Sequence, residues 1–180
     1  MTGWQNTAQH LLRGCEACSL VVGRLVSWLA LAVVLVMMTS VVLRYGFGIG
    51  SIALQESVLY LHATLFVLGA GYTLARNDHV RVDIFYQRMS SLARARIDLL
   101  GSLLLLLPLA ITLFVMSLDY VQVSWTRREG SAEAGGLPYL YLFKSLLLVL
   151  PVVLCIQGLA EALRALLTLT GGEPPARGDH

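Results

Sequence analysis

"VVGRLVSWLALAVVLVMMTSVVL" (residues 21–43) carries a single charged side chain, Arg24, across its whole length. A hydrocarbon core about 30 Å thick is crossed by about 20 helical residues. A run this long and this apolar has no polar face to offer water, so it reads as a membrane span. It must be helical, because lipid provides no partner for backbone N–H and C=O groups. Its continuous apolar character also departs from the alternation of an outer-membrane barrel strand.

Three further runs meet the same test: residues 53–75, 97–121 and 139–167. The expected fold is therefore an all-α integral membrane protein with four transmembrane helices. Residues 1–170 are expected to form a single four-helix membrane domain, and 171–180 ("GGEPPARGDH") a disordered tail. Composition agrees: of 180 residues, 57% are hydrophobic and 13% charged, against about a quarter charged in soluble domains. Mean hydropathy is +0.72. A net charge of +2 gives no sign of a nucleic-acid partner. The run at 21–43 is too long for the apolar core of a signal peptide and lacks a small-residue exit site, so it is expected to remain as the first span.

Arginine placement gives an orientation. Arg13, Arg76, Arg81, Arg88, Arg94, Arg96, Arg164 and Arg177 share one side of a four-span chain, and Arg44, Arg127 and Arg128 the other. Eight against three puts both termini in the cytoplasm. Pro108 and Pro151 fall inside spans three and four, where each removes a backbone hydrogen bond and is expected to kink its helix.

The densest charge lies between spans two and three, in "ARNDHVRVD" (residues 75–83). Cytoplasmic placement accounts for its arginines. In the stretch that follows, Phe85, Met89 and Leu92 fall on one helical face and Gln87, Ser90, Ser91 and Arg94 on the other. A short amphipathic surface helix fits this. So does a new helix capped by Ser90 or Ser91 that runs directly into span three, and both can hold with a bend at the serines.

Ionisable groups inside spans are candidates for function. Glu56 lies one turn into span two, and Arg44 closes span one across a short connection, so an Arg44–Glu56 ion pair is expected. Asp98 is placed to meet the positive end of the third helix, and Asp119 to reach Arg127 or Arg128. Gly69 and Gly71 permit close helix approach in lipid. Cys15 and Cys18 match C-x-x-C without further metal ligands nearby and read as incidental thiols. Of four histidines, only His62 is well inside a span, too few for haem ligation. No catalytic, substrate-binding or metal-ligating set emerges, and no cofactor is expected.

The stretch "GAGYTLARNDHVRVDIFYQRMSSLARARIDLLGSLLLLLP" (residues 69–108) resembles the small membrane subunit of tripartite ATP-independent periplasmic (TRAP) transporters, the DctQ-type permease. Other pieces carry the likeness: Arg44-Tyr45 closing span one, Glu56 opening span two, Gly69-Ala70, and the His79-Val80-Arg81-Val82-Asp83 string. Gly135 to Pro138, Pro151, and Gln157 to Leu159 add to it. Leu54 and Gln55 depart from members that carry a Trp or a second acid just before the span-two Glu.

The resemblance implies a multi-pass protein of the bacterial inner (cytoplasmic) membrane. It implies an accessory role beside a large membrane subunit that carries the substrate and sodium sites, with a periplasmic solute-binding protein delivering the cargo. The small subunit is expected to brace the carrier and to contact membrane lipid. The wording of the 71–83 and 134–138 stretches points to uptake of an organic acid anion. His79, Arg81 and Asp83 are expected to form a hydrogen-bonded cap on the turn leaving span two. Two rivals compete with this reading: a thiol oxidase using Cys15 and Cys18, and a small proton-coupled exporter using Glu56.

Overall fold

A computed structural model of the chain describes residues 3–76 and 89–172, and every regular element within them is helical. They are α1 (Gly3–Gly46), α2 (Ile52–Arg76), α3 (Ser91–Gly101), a π-helical turn (Ser102–Leu106), α4 (Leu107–Arg127) and α5 (Leu140–Leu169). Four stretches are long and apolar enough to cross a membrane: Val21–Gly46, Ile52–Leu74, Ser91–Arg127 and Leu140–Leu169. The four expected spans are all present.

The third is longer than its apolar run suggested, because α3, the π turn and α4 follow one another without a break. Ser90 supplies the start: it is extended (φ −64°, ψ 156°) and its side chain accepts from the Ala93 N–H, which satisfies one of the orphan donors of the first turn. A serine cap leading straight into span three is thus present, and it leaves room for a surface helix ahead of it. Residues 85–88, where the expected surface helix begins, lie outside the described residues, as do His79, Arg81, Asp83 and residues 173–180.

Neither proline ends its helix. Just before Pro108 the chain switches to π spacing, with the Leu107 N–H donating to the Ser102 carbonyl. The wider turn makes room for a ring that would otherwise meet the carbonyl four residues back. Pro151 lies within the continuous α5 and is fully buried.

α5 is the hub. It packs against α2, α3, α4 and the π turn, and against the N-terminal part of α1, whereas α1 otherwise lies along α2. The order across the bundle is thus α1, α2, α5, α4, with α1 and α4 at its edges. Glycines set two of these spacings. A Cβ on Gly23 would enter the Tyr72 ring at 2.5–2.9 Å, and one on Gly158 would sit 3.1 Å from Leu106 and 3.3 Å from Leu107.

The helix begins well ahead of the apolar run: the chain before residue 21 is the start of α1 itself. Ala8 and Leu12, one turn apart, are buried with Ala160 and Leu167 of α5, and Leu163 packs on them.

Candidate functional site

At the end of the bundle where α1 stops and α2 begins, Ser51 caps α2 by accepting from the Leu54 N–H at 3.3 Å. Glu56 lies just over one turn further in. Its Oε1 accepts from the Ser131 hydroxyl, and its Oε2 accepts from the Leu137 N–H at 2.6 Å. Both donors belong to the connection between α4 and α5. That connection is closed on itself, since the Ser131 N–H donates to the Leu137 carbonyl at 2.9 Å and the Gly136 N–H to the Glu133 carbonyl at 3.1 Å. Two glycines permit this geometry. Gly135 adopts φ +82°, which favours glycine, and a Cβ on Gly136 would lie 2.5 Å from Ser131 Cβ and 2.9 Å from Glu56 Oε1. Charge-assisted bonds to a carboxylate are the strong ones, so Glu56 ties the start of α2 to a loop about 80 residues away in sequence.

The same end carries more cross-ties. Tyr60, one turn below Glu56, stacks on Phe143 of α5 with centroids 4.6 Å apart. The Trp125 indole N–H donates to Ser145 Oγ at 2.8 Å, and its ring meets Tyr141 edge-on at 4.9 Å. Lys144 Nζ lies 2.6 Å from Glu129 Oε2 and 4.1 Å from the centroid of the Tyr120 ring. Lys144 holds the Glu129 carboxyl below its ordinary 4.5. α5 is thereby joined to α2 on one side and to α4 on the other. These groups fasten helices, and the acceptor atoms of Glu56 are used by the loop.

The expected Arg44–Glu56 pair does not form. Arg44 is exposed in the last turn of α1, where a cation meets the negative end of the helix dipole. α1 leaves through Gly48 at φ +70°, with the Ile49 N–H donating to the Leu43 carbonyl at 2.9 Å. Proximity in sequence suggested Arg44; the loop's N–H and hydroxyl reach the carboxylate instead. Asp98 also departs from its expected setting. The first turn of α3 holds no acidic residue, and Asp98 instead lines a cleft of about 260 Å³ with Ser102 and Glu161. Asp119 pairs with neither Arg127 nor Arg128, because eight positions of helix carry Arg127 about 12 Å further along the axis. Gly71 faces the Val153 side chain of α5 closely, whereas a Cβ on Gly69 would lie 3.9 Å from Val26 of α1, an ordinary contact distance.

Sequence reasoning missed the buried polar residues of α5. Gln157, Glu161 and Arg164 are each less than a tenth exposed, and none of them is without a partner. The available signal was an acid and a base three positions apart inside an apolar helix, a spacing that puts both on one face.

A bundle of spanning helices, fastened at one end by a carboxylate and aromatic pairs, defines a polytopic helical membrane protein. The chain matches the family model described as "Tripartite ATP-independent periplasmic transporters, DctQ component" over residues 33–168, and it belongs to that family. It is thus a small membrane component of a TRAP transporter, from a family of transporter parts and not of enzymes. Membership implies association with a large membrane subunit and a periplasmic binding protein. No match is found among curated proteins or among solved structures. Glu56 and the Gly135–Pro138 segment, distant in sequence, meet in the clamp.

Proposed function

We propose that this chain is a passive brace in the bacterial inner membrane, holding the large, sodium-coupled subunit while that subunit moves an organic acid anion. The observation that carries this reading is the Glu56 clamp: a carboxylate spent on Ser131 and Leu137 makes α2, α5 and their connections one stiff unit. A brace needs stiffness of this kind, whereas a carrier needs elements that exchange partners. The arginine bias supports cytoplasmic termini, and it persists at seven against three when the buried Arg164 is left out. The clamp then faces the periplasm, on the side where the binding protein docks. The organic acid assignment rests on the resemblance of residues 71–83 and 134–138.

Reconstitution tests the proposal. Liposomes holding this chain with its large subunit and binding protein should accumulate an organic acid anion down a sodium gradient. Liposomes with this chain alone should show no flux. Uptake by the chain alone would overturn the brace and favour an exporter using Glu56. Thiol labelling of Cys15 from outside intact cells would overturn the orientation.

A further inference from the structure

The first half of α1 touches its neighbours at two places. Ala8 and Leu12 are buried against Ala160 and Leu167 of α5, and Gly23 meets the Tyr72 ring of α2. The positions from Leu12 to Gly23 advance about 16 Å along the helix axis. Over that length α1 stands off, and a cavity of about 440 Å³ opens between α1, α2 and α5. Gly14 and Val22 line it from α1, Leu68 and Tyr72 from α2, and Val153 and Ile156 from α5. A Cβ built on Gly14 meets nothing within 4 Å, so that wall faces open space.

The walls decide what can fill the cavity. Those on α2 and α5 belong to the spanning stretches Ile52–Leu74 and Leu140–Leu169, and Val22 belongs to Val21–Gly46. His10 and Leu11 line the other end, ahead of the span of α1, and Leu11 is 58% exposed there. A second helix is excluded by size: about 10–12 Å across with its side chains, it would take about 1,300 Å³ over the same length. Water is excluded by chemistry, because apolar cavities stay dry, and the polar lining groups Tyr72 and Gln157 each have a partner already. A single hydrocarbon chain is slender and apolar, and it gives the lining the dispersion contacts that an unfilled void forfeits. With its tail towards Val22, a lipid would bring its phosphate to His10 and Arg13, both exposed and neighbours on one face of α1. Basic groups beside pockets between helices bind anionic headgroups.

We infer that this cavity holds one acyl chain of an anionic phospholipid, drawn from the leaflet at the start of α1, with the phosphate at His10 and Arg13. The lipid then supplies the packing between the first half of α1 and the α2–α5 pair. The site needs only a bilayer, so it stands apart from the brace.

The test uses the chain with its large subunit in vesicles of phosphatidylethanolamine and phosphatidylglycerol. A trace of phosphatidylglycerol carries a diazirine near the end of one acyl chain. Illumination should label residues 68–72 and 153–156. Gly14→Leu puts a side chain into the cavity from α1, and Ile156→Phe fills it from the opposite wall. Each should abolish that labelling while labelling elsewhere in the chain persists. Arg13→Gln should lower it about fivefold, the worth of one basic residue beside an anionic lipid. A phosphatidylcholine tracer with the same diazirine should label the cavity more weakly and ignore Arg13→Gln. Labelling that survives both filling variants, no labelling of the unaltered complex, or equal labelling by the two tracers overturns the site. Labelling of the chain alone but not of the complex gives the cavity to the large subunit and overturns it too. None of these outcomes bears on solute flux, which decides the brace.

Discussion

Where α1 gives way to α2, the helices are fastened by directional bonds to carboxylates. At the opposite end, the first turns of α1 rest on the last turns of α5 through alanine and leucine. Glu56 takes two donors from a loop that only glycine at position 136 allows to close. Ala8 and Leu12 instead fill a space beside Ala160 and Leu167, where shape and volume decide the fit. The difference is one of tolerance. A hydrogen-bonded clamp fixes register to a fraction of an ångström and fails when one atom is displaced. An apolar contact accepts modest changes of shape and loses stability in proportion to the volume removed.

The largest effect is expected from the apolar end. Leu12 is 1% exposed, and Leu12→Ala leaves a cavity as well as forfeiting transfer free energy. A loss of about 3 kcal/mol is expected in detergent unfolding experiments. A change near zero would mean that the first turns of α1 do not rest on α5.

Gly136→Ala probes the clamp. The added methyl would lie within 3 Å of both Ser131 Cβ and Glu56 Oε1, so the loop must move and the Glu56 bonds must lengthen. About 1–3 kcal/mol of destabilisation is expected, as for overpacking elsewhere. The same substitution made in a Glu56→Ala background should cost less, because the clamp is already open. Equal costs in both backgrounds, measured as a double-mutant cycle, would separate Gly136 from Glu56.

Ser90→Ala removes the cap on α3 and should cost about 1 kcal/mol. Exchange of the amide hydrogens of residues 91–94 should speed up, while the far end of the span is unaffected.

These tests also mark what could be read from the chain. The spans were legible because each is a local run of apolar side chains, and the serine cap at position 90 because capping is a local rule. Glu56 stood out as an acid in an apolar helix, but its partners did not, since Ser131 and Leu137 reach it only through the folded connection. The start of α1 lies ahead of the apolar run that marks the span, and its polar and apolar residues are evenly mixed. Two residues one turn apart, Ala8 and Leu12, were enough to hold it. Asp119 was assigned to Arg127 by nearness in sequence, and helical rise places them too far apart. The π turn before Pro108 was invisible, because periodicity does not report one extra residue in a turn.

The smallest effect, and the one that separates the ends most cleanly, is the dependence on pH. Glu129 is partly exposed and lies outside the spanning stretches; Lys144 lowers its carboxyl pKa below the ordinary 4.5. A carboxyl whose folded pKa is lowered contributes stability that is present above its unfolded value and is lost as pH falls through the folded value. The unaltered chain should therefore exceed Glu129→Gln in melting temperature by a constant small margin above about pH 5. The two should converge as pH falls below 4.5 towards the folded pKa, where both carry a neutral side chain. Leu12→Ala involves no titrating group, so its deficit relative to the unaltered chain should be the same at each of these pH values. Melting curves of all three proteins between pH 3 and pH 7 decide the matter. If the Glu129→Gln difference persists undiminished at pH 3, that carboxylate's charge is not what joins the loop to α5.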